Sequence, residues 1–122
     1  MQKEMEFKYL VCSPDLNAHG SLHGGVLVRW CDESSGMHAK LITNKVCVTR
    51  FIDKINFISK AKLGDIIQIK TKIIYAGKTS ICFNVKVSEG LSKRDIAEID
   101  QIIFVSIDKD GNSINHNLNL PY

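Results

Sequence analysis

Two rhythms run through the apolar positions of the chain. From Gly24 to about residue 42 they recur every three or four residues, so that Leu27, Trp30, Cys31, Ser34, Met37 and Leu41 share one face of a helix. The opposite face carries Gly25, Val28, Arg29, Asp32, Gly36 and Ala39, mostly small, which suits close approach of another chain or a ligand. Thr43 and Asn44 end the helix. Elsewhere the period is two. Residues 7–12 read as a short first strand, and 46–57 as a long one bent near Asp53 and Lys54. Residues 66–75 alternate as Ile67, Ile69, Thr71, Ile73 and Tyr75; residues 79–88 as Ile81, Phe83, Val85 and Val87; residues 97–108 form the last strand. Turn formers fill 13–20, 61–65, 76–78 and 89–93, and strands joined by such short turns predict antiparallel hairpins. One long helix against about five antiparallel strands is an α+β arrangement. The sheet is expected to curl round the helix, with Trp30 and Met37 in the core. A lone edge strand would then be exposed, and edge-to-edge pairing with a second copy would cover it.

Composition narrows the class. A chain of 122 residues supports one core, so residues 1–122 are read as a single domain, with 112–122 as a polar tail or oligomer contact. The 44% hydrophobic content excludes disorder as the main state. No apolar run approaches the ~20 residues of a membrane span. The charged start, Met1 to Glu6, lacks the apolar stretch of a signal peptide, which predicts a cytoplasmic protein. Net charge is +3, from 16 basic and 13 acidic residues that are scattered, which excludes a nucleic-acid partner. Cys12, Cys31, Cys47 and Cys82 form no CxxC pair and read as reduced, buried thiols.

Several residues carry possible chemistry. Asp32 sits in an apolar helix, where Asp has poor propensity; it either faces solvent beside Arg29 or is a working carboxylate. Asn17 precedes a glycine-rich turn, where Asn also serves simply as a turn former. Gly24 and Gly25 open the helix, where free N–H groups attract negative charge; they are either an oxyanion hole or a tight turn. Gly77-Lys78-Thr79-Ser80 fails as a phosphate loop, because Lys72 stands where its first glycine belongs and the run lies between strands. His19 and His23 are four apart, but in a loop that spacing does not make a metal site, and none is expected. The run from Asp108 has Asn119 where a calcium loop needs Glu, and reads as a turn. Lys60, Lys62, Lys70 and Lys72 are either a solvated strand face or a patch for phosphates.

Four pieces, in order along the chain, carry a family likeness. The run from Pro14 to Gly25 contains Asn17, Gly20, Gly24 and Gly25 and resembles the N-x-x-G-x-x-x-G-G loop of the hotdog acyl-CoA thioesterases. Trp30-Cys31-Asp32-Glu33 resembles their W-x-D-E helix motif, Gly77-Lys78-Thr79-Ser80 their G-[RK]-T-S hairpin, and residues 104–111 their last strand. The resemblance implies a hotdog fold and hydrolysis of acyl-CoA to free acid and CoA by a homodimer or trimer of dimers. No cofactor is implied beyond the CoA of the substrate. It implies Asp32 as base or nucleophile, Asn17 acting from the facing subunit, and Gly24 and Gly25 as oxyanion donors. His19, His23, Lys78, Thr79 and Ser80 would contact substrate or CoA. Two other readings stay open, a non-catalytic acyl-CoA binding module and a hotdog acyl dehydratase using His19 or His23. His23, His38 and Lys40 depart from the residues usual in the family and bear on acyl-chain preference.

Overall fold

The computed structural model describes residues 1–118. Strand β1 (Glu4–Leu10) is followed by a one-turn 3-10 helix (Ser13–Asp15) and by α1 (Gly24–Thr43). Then come β2 (Val46–Phe57), β3 (Ile66–Ala76), β4 (Ser80–Glu89) and β5 (Asp95–Ile107). All pairings are antiparallel, in the order β1-β3-β4-β5-β2, and α1 touches every strand. This is the hotdog arrangement expected above.

The meander β3-β4-β5 matches the expected hairpins, but the segment before β3 is not one. β2 pairs with β5, from Val46 opposite Ile107 to Phe57 opposite Ala97, and residues 58–65 carry the chain away to lie beside β1. A turn signal marks where a strand stops, not which strand receives it. The bend expected in β2 coincides with Lys54, whose φ is 61°. Alternation in β3 holds through Ile73 and then slips. A bulge between Ile73 and Tyr75 turns Tyr75 outward.

The helix is capped at both ends. The His23 imidazole Nδ1 accepts the Gly25 N–H at 2.9 Å, and Asn44 ends the helix in the left-handed conformation (φ 55°), its N–H donating to the Lys40 carbonyl. Its buried stripe is Leu27, Trp30, Cys31, Ser34, Ser35, His38, Ala39 and Thr43. Met37 and Leu41, expected inside, are exposed; Ala39, expected on the open face, is buried. The difference comes from polar residues that bring their own partners. The Ser35 hydroxyl donates to the Cys31 carbonyl, and the Thr43 hydroxyl to that of Ala39. His38 Nε2–H donates to the Gln2 carbonyl at 2.8 Å, while Nδ1 accepts from the Thr71 hydroxyl at 2.7 Å. Satisfied in this way, a buried imidazole costs little and is held neutral, its pKa pushed down by burial.

Around this stripe the core is aromatic and β-branched. Tyr9 stacks on Trp30 with ring centres 4.7 Å apart, and Phe83 bridges His38 and Phe104. Of the cysteines, Cys31 and Cys82 are buried as expected and Cys47 half-buried, but Cys12 is exposed. The edge strand β2 shows Val46, Val48, Phe51 and Phe57 to solvent. Among the described residues, no helix is long and apolar enough to cross a membrane. The expected tail divides. Residues 112–118 fold back on the domain, and Asn119 and Pro121 lie outside the described residues.

The β4–β5 turn hangs on one nearly enclosed carboxylate. Glu89 accepts the N–H groups of Ser92 (2.8 Å), Leu91 (3.0 Å) and Ile66 (3.1 Å). These bonds, led by the one from Ser92, outweigh the effect of enclosure and hold its pKa down at about 2. A depressed pKa stabilises the fold above the ordinary carboxylate value of 4.5, and that contribution is lost as pH falls towards 2. The expected outcome of thermal melts is a falling Tm across that window in the wild type. Glu89→Gln should melt lower at neutral pH and show a flatter pH dependence.

Candidate active site

Asp32 lies in the third turn of α1, half-buried, on the flank that faces β2. Its Oδ1 accepts a short hydrogen bond from the Thr49 hydroxyl, and no ion pair to Arg29 forms among the described residues. One carboxylate oxygen is thus oriented by a neutral donor, and the charge is not cancelled by a cation. The neighbouring thiol, Cys31, is no competitor as a nucleophile. Burial, aided by the charge of Asp32, pushes its pKa up to about 12, so it stays protonated. Thr49 was not among the residues the sequence singled out. Its only signal is alternation with Cys47, which also faces the helix and contacts Thr43. A threonine in a strand is otherwise unremarked.

The second cluster surrounds the start of the helix. The Asn17 Oδ1 accepts the N–H groups of His19 (2.9 Å) and Ser21 (3.2 Å), and Gly20 closes the loop at φ 80°. The loop is laced to residues 58–65 by Leu22 N–H donating to the Ala61 carbonyl and by a bridge between Ser21 and Lys62. Asn17 is thereby both a turn former and a presented amide. Its carbonyl oxygen is occupied and its NH2 remains as a donor. Asn17 and Gly24 lie on the rim of a cleft of about 420 Å³ lined by Leu22, Leu27, Phe57, Ile58 and Ile96.

The two glycines differ. The Gly25 N–H is already taken by the His23 cap, so the expectation of a free oxyanion donor does not hold there. The Gly24 N–H has no acceptor among the described residues, and a methyl group at Gly24 would stand 3.5 Å from the Phe57 ring. His23 is a helix cap with its Nε2 turned away from the helix. His19 lines a neighbouring cleft with Lys60, Lys62 and Arg94.

Lys78, Thr79 and Ser80 lie elsewhere. They form the β3–β4 turn, at the other end of β3 from the Asn17 loop, up to about 30 Å away along the strand. The four lysines are likewise divided: Lys60 and Lys62 sit by His19, whereas Lys70 and Lys72 lie on the outer sheet face, Lys70 pairing with Glu6 at 3.8 Å. They are not one patch. Among the described residues, no three His, Cys, Asp or Glu side chains gather as a metal site.

One helical distance decides how these parts can work. Asp32 is eight residues after Gly24, about 12 Å along the axis. A single carbonyl cannot lie about 3 Å from both within one chain. Asp32 and Gly24 of one chain are therefore too far apart to act on the same carbonyl.

A single helix inside a curled antiparallel sheet, with an acid on the helix and an Asn-Gly loop before it, defines a hotdog protein. The sequence pattern of the thioesterase superfamily matches residues 19–90, and the chain belongs to that family. It is 29% identical over 116 residues to the acyl-CoA thioester hydrolase YciA of Salmonella typhimurium, spanning 90% of this chain and 87% of that one. A hexameric acyl-CoA thioesterase superposes with a TM-score of 0.83 at 26% identity, covering 93% of this chain and 74% of that one. An acyl-CoA hydrolase from Staphylococcus aureus, solved with butyryl-CoA, CoA and CoA disulfide, superposes with a TM-score of 0.80 at 26% identity, covering 93% and 68%.

The His23 cap has a measurable consequence. His23→Ala frees the Gly25 N–H and should cost about 1 kcal/mol, lowering Tm by a few degrees in differential scanning calorimetry. His23→Asn, which can cap the same N–H, should melt close to the wild type.

Proposed function

We propose that the protein hydrolyses acyl-CoA thioesters to free acid and CoA, in the cytoplasm, as a homodimer or an assembly of dimers. The observation that carries this reading is the uncancelled Asp32 carboxylate, oriented by Thr49 at an open sheet edge. Edge strand β2 supports pairing with a second copy, since it presents unpaired backbone and exposed Val46, Val48 and Phe51. The similar enzyme named above is itself hexameric.

In this reading the thioester carbonyl sits between Asp32 of one copy and the Asn17 loop of the other. Water adds to the carbonyl carbon as Asp32 takes its proton. The oxyanion that forms is held by the Gly24 N–H, with the Asn17 amide donating beside it. Collapse breaks the C–S bond, and the proton on Asp32 passes to the departing thiolate. Direct attack by Asp32 would instead form an anhydride, which water then opens. A single turnover in labelled water separates the two, because only the anhydride route leaves the label in the Asp32 carboxylate. The cleft beside Gly24 takes the acyl chain, with His19 contacting substrate from the neighbouring cleft and His23 capping the start of the helix. Lys78, Thr79 and Ser80 hold CoA through a cation and two hydroxyls.

Release of free CoA from a panel of acyl-CoAs, followed by loss of thioester absorbance, tests the reading. Asp32→Asn should lower kcat by about 10²–10⁴ with CoA binding retained; equal turnover in both proteins would sink the assignment. An enoyl product would identify a dehydratase, and binding without product a binding module. Mixing inactive Asp32→Asn with inactive Asn17→Ala should restore activity, because a mixed dimer holds one intact site.

Thr49→Val, which removes the hydroxyl from Asp32 while keeping its shape, should lower kcat by about tenfold with little change in Tm.

A further inference from the structure

We propose that His116, in the segment after β5, is a positioning residue that sets the Gly77–Ser80 turn for CoA. The proposal rests on the reading of that turn as the CoA site. His116 is buried, and its partners define its protonation. Nε2 lies 3.0 Å from the Ser80 carbonyl, which only accepts, so Nε2 carries the hydrogen. Nδ1 lies 3.1 Å from the Leu118 N–H, which only donates, so Nδ1 is bare. The ring is a neutral imidazole of one tautomer, clamped from both sides.

What it clamps is the turn itself. The Ser80 carbonyl also accepts the Gly77 N–H at 3.0 Å, the bond that closes the hairpin. The His116 backbone N–H donates to the Lys78 carbonyl at 3.0 Å, and the Ser106 N–H to the Thr79 carbonyl at 2.9 Å. Three successive carbonyls of the turn are thus held, those of Lys78 and Ser80 by His116 and that of Thr79 by Ser106. Ser106, fully buried, holds the same segment in place by donating its hydroxyl to the Ile114 carbonyl. The N–H groups of Lys78 and Thr79 have no acceptor among the described residues, and the Lys78 side chain is exposed. Two free N–H groups beside a free cation make a donor site that suits a phosphate, or the neutral carbonyl of a pantetheine amide. A methyl group added at Gly77 would come within 2.8 Å of the Ser80 hydroxyl, so the hairpin is tight.

Two substitutions separate positioning from mere packing. His116→Gln places an amide N–H near the Nε2 position and keeps the Ser80 bond. His116→Asn reaches only the Nδ1 position and loses it. Kinetics are compared for an acyl-CoA and for the matching acyl N-acetylcysteamine thioester, which lacks the nucleotide and most of the pantetheine. For His116→Asn, KM for acyl-CoA should rise about fivefold or more, with kcat within about twofold and no change for the truncated thioester. His116→Gln should behave as wild type. Unchanged KM in His116→Asn, an equal rise for both substrates, or equal damage by Gln overturns the proposal. If wild type shows the same KM for both substrates, the turn does not hold CoA, and the underlying reading fails as well. Should His116→Asn not fold, the wild-type ring still reports. Its ¹⁵N resonances should show the Nε2–H tautomer and move on saturation with CoA; a ring that ignores CoA overturns the proposal.

Discussion

A helix about 30 Å long is all that five strands have to close around. Everything else follows from how that helix is filled, capped and left open. Every strand touches it, so its inward stripe must be compact and its polar groups satisfied before the sheet arrives. Ser35 and Thr43 meet this need by bonding back to the preceding turn, and His38 by bonding across to β3 and to the start of the chain. The sheet does not close into a barrel. It ends at β1 and β2, and at β2 the helix flank with Asp32 remains accessible. One geometric constraint therefore produces both a stable domain and an incomplete site.

Much of this was legible in the sequence, and what was not has identifiable causes. The helix and the three-strand meander were readable because period and turn chemistry are local. The position of β2 was not, because pairing with β5 is decided by closure around the helix and leaves no local mark. The inward stripe was misjudged at Met37, Ala39 and His38 because apolarity ranks Met above His, whereas the core admits whichever residue fits and brings a partner. Asp32, Asn17 and the glycines were singled out as a set through motif resemblance. That the two glycines differ was not legible: the Gly25 N–H is taken by His23, a cap visible only once the backbone is placed. Thr49 and His116 were invisible for the same reason. In the readings proposed, the side chain of each acts on a residue far away in sequence, at separations of 17 and 36 positions.

In the proposed mechanism, the electrostatics around Asp32 favour a carboxylate over a thiol as the working group. Two titratable side chains sit side by side on the helix, one step apart in sequence and opposite in exposure. Burial denies Cys31 its thiolate and leaves it as packing. Asp32, at the flank, keeps access to solvent and takes a single oriented donor from Thr49. A neutral donor fixes direction without neutralising charge. In the proposed assembly a second chain covers this flank. Removing water from around the carboxylate strengthens its interaction with the attacking water and with the oxyanion donors opposite. In that proposal the open edge couples assembly to catalysis. The half-buried carboxylate is tolerable in one chain because water reaches it, and in the proposed assembly substrate and partner together displace that water. A closed sheet would have buried Asp32 with no such partner, and the charge would then have had to be paired or lost.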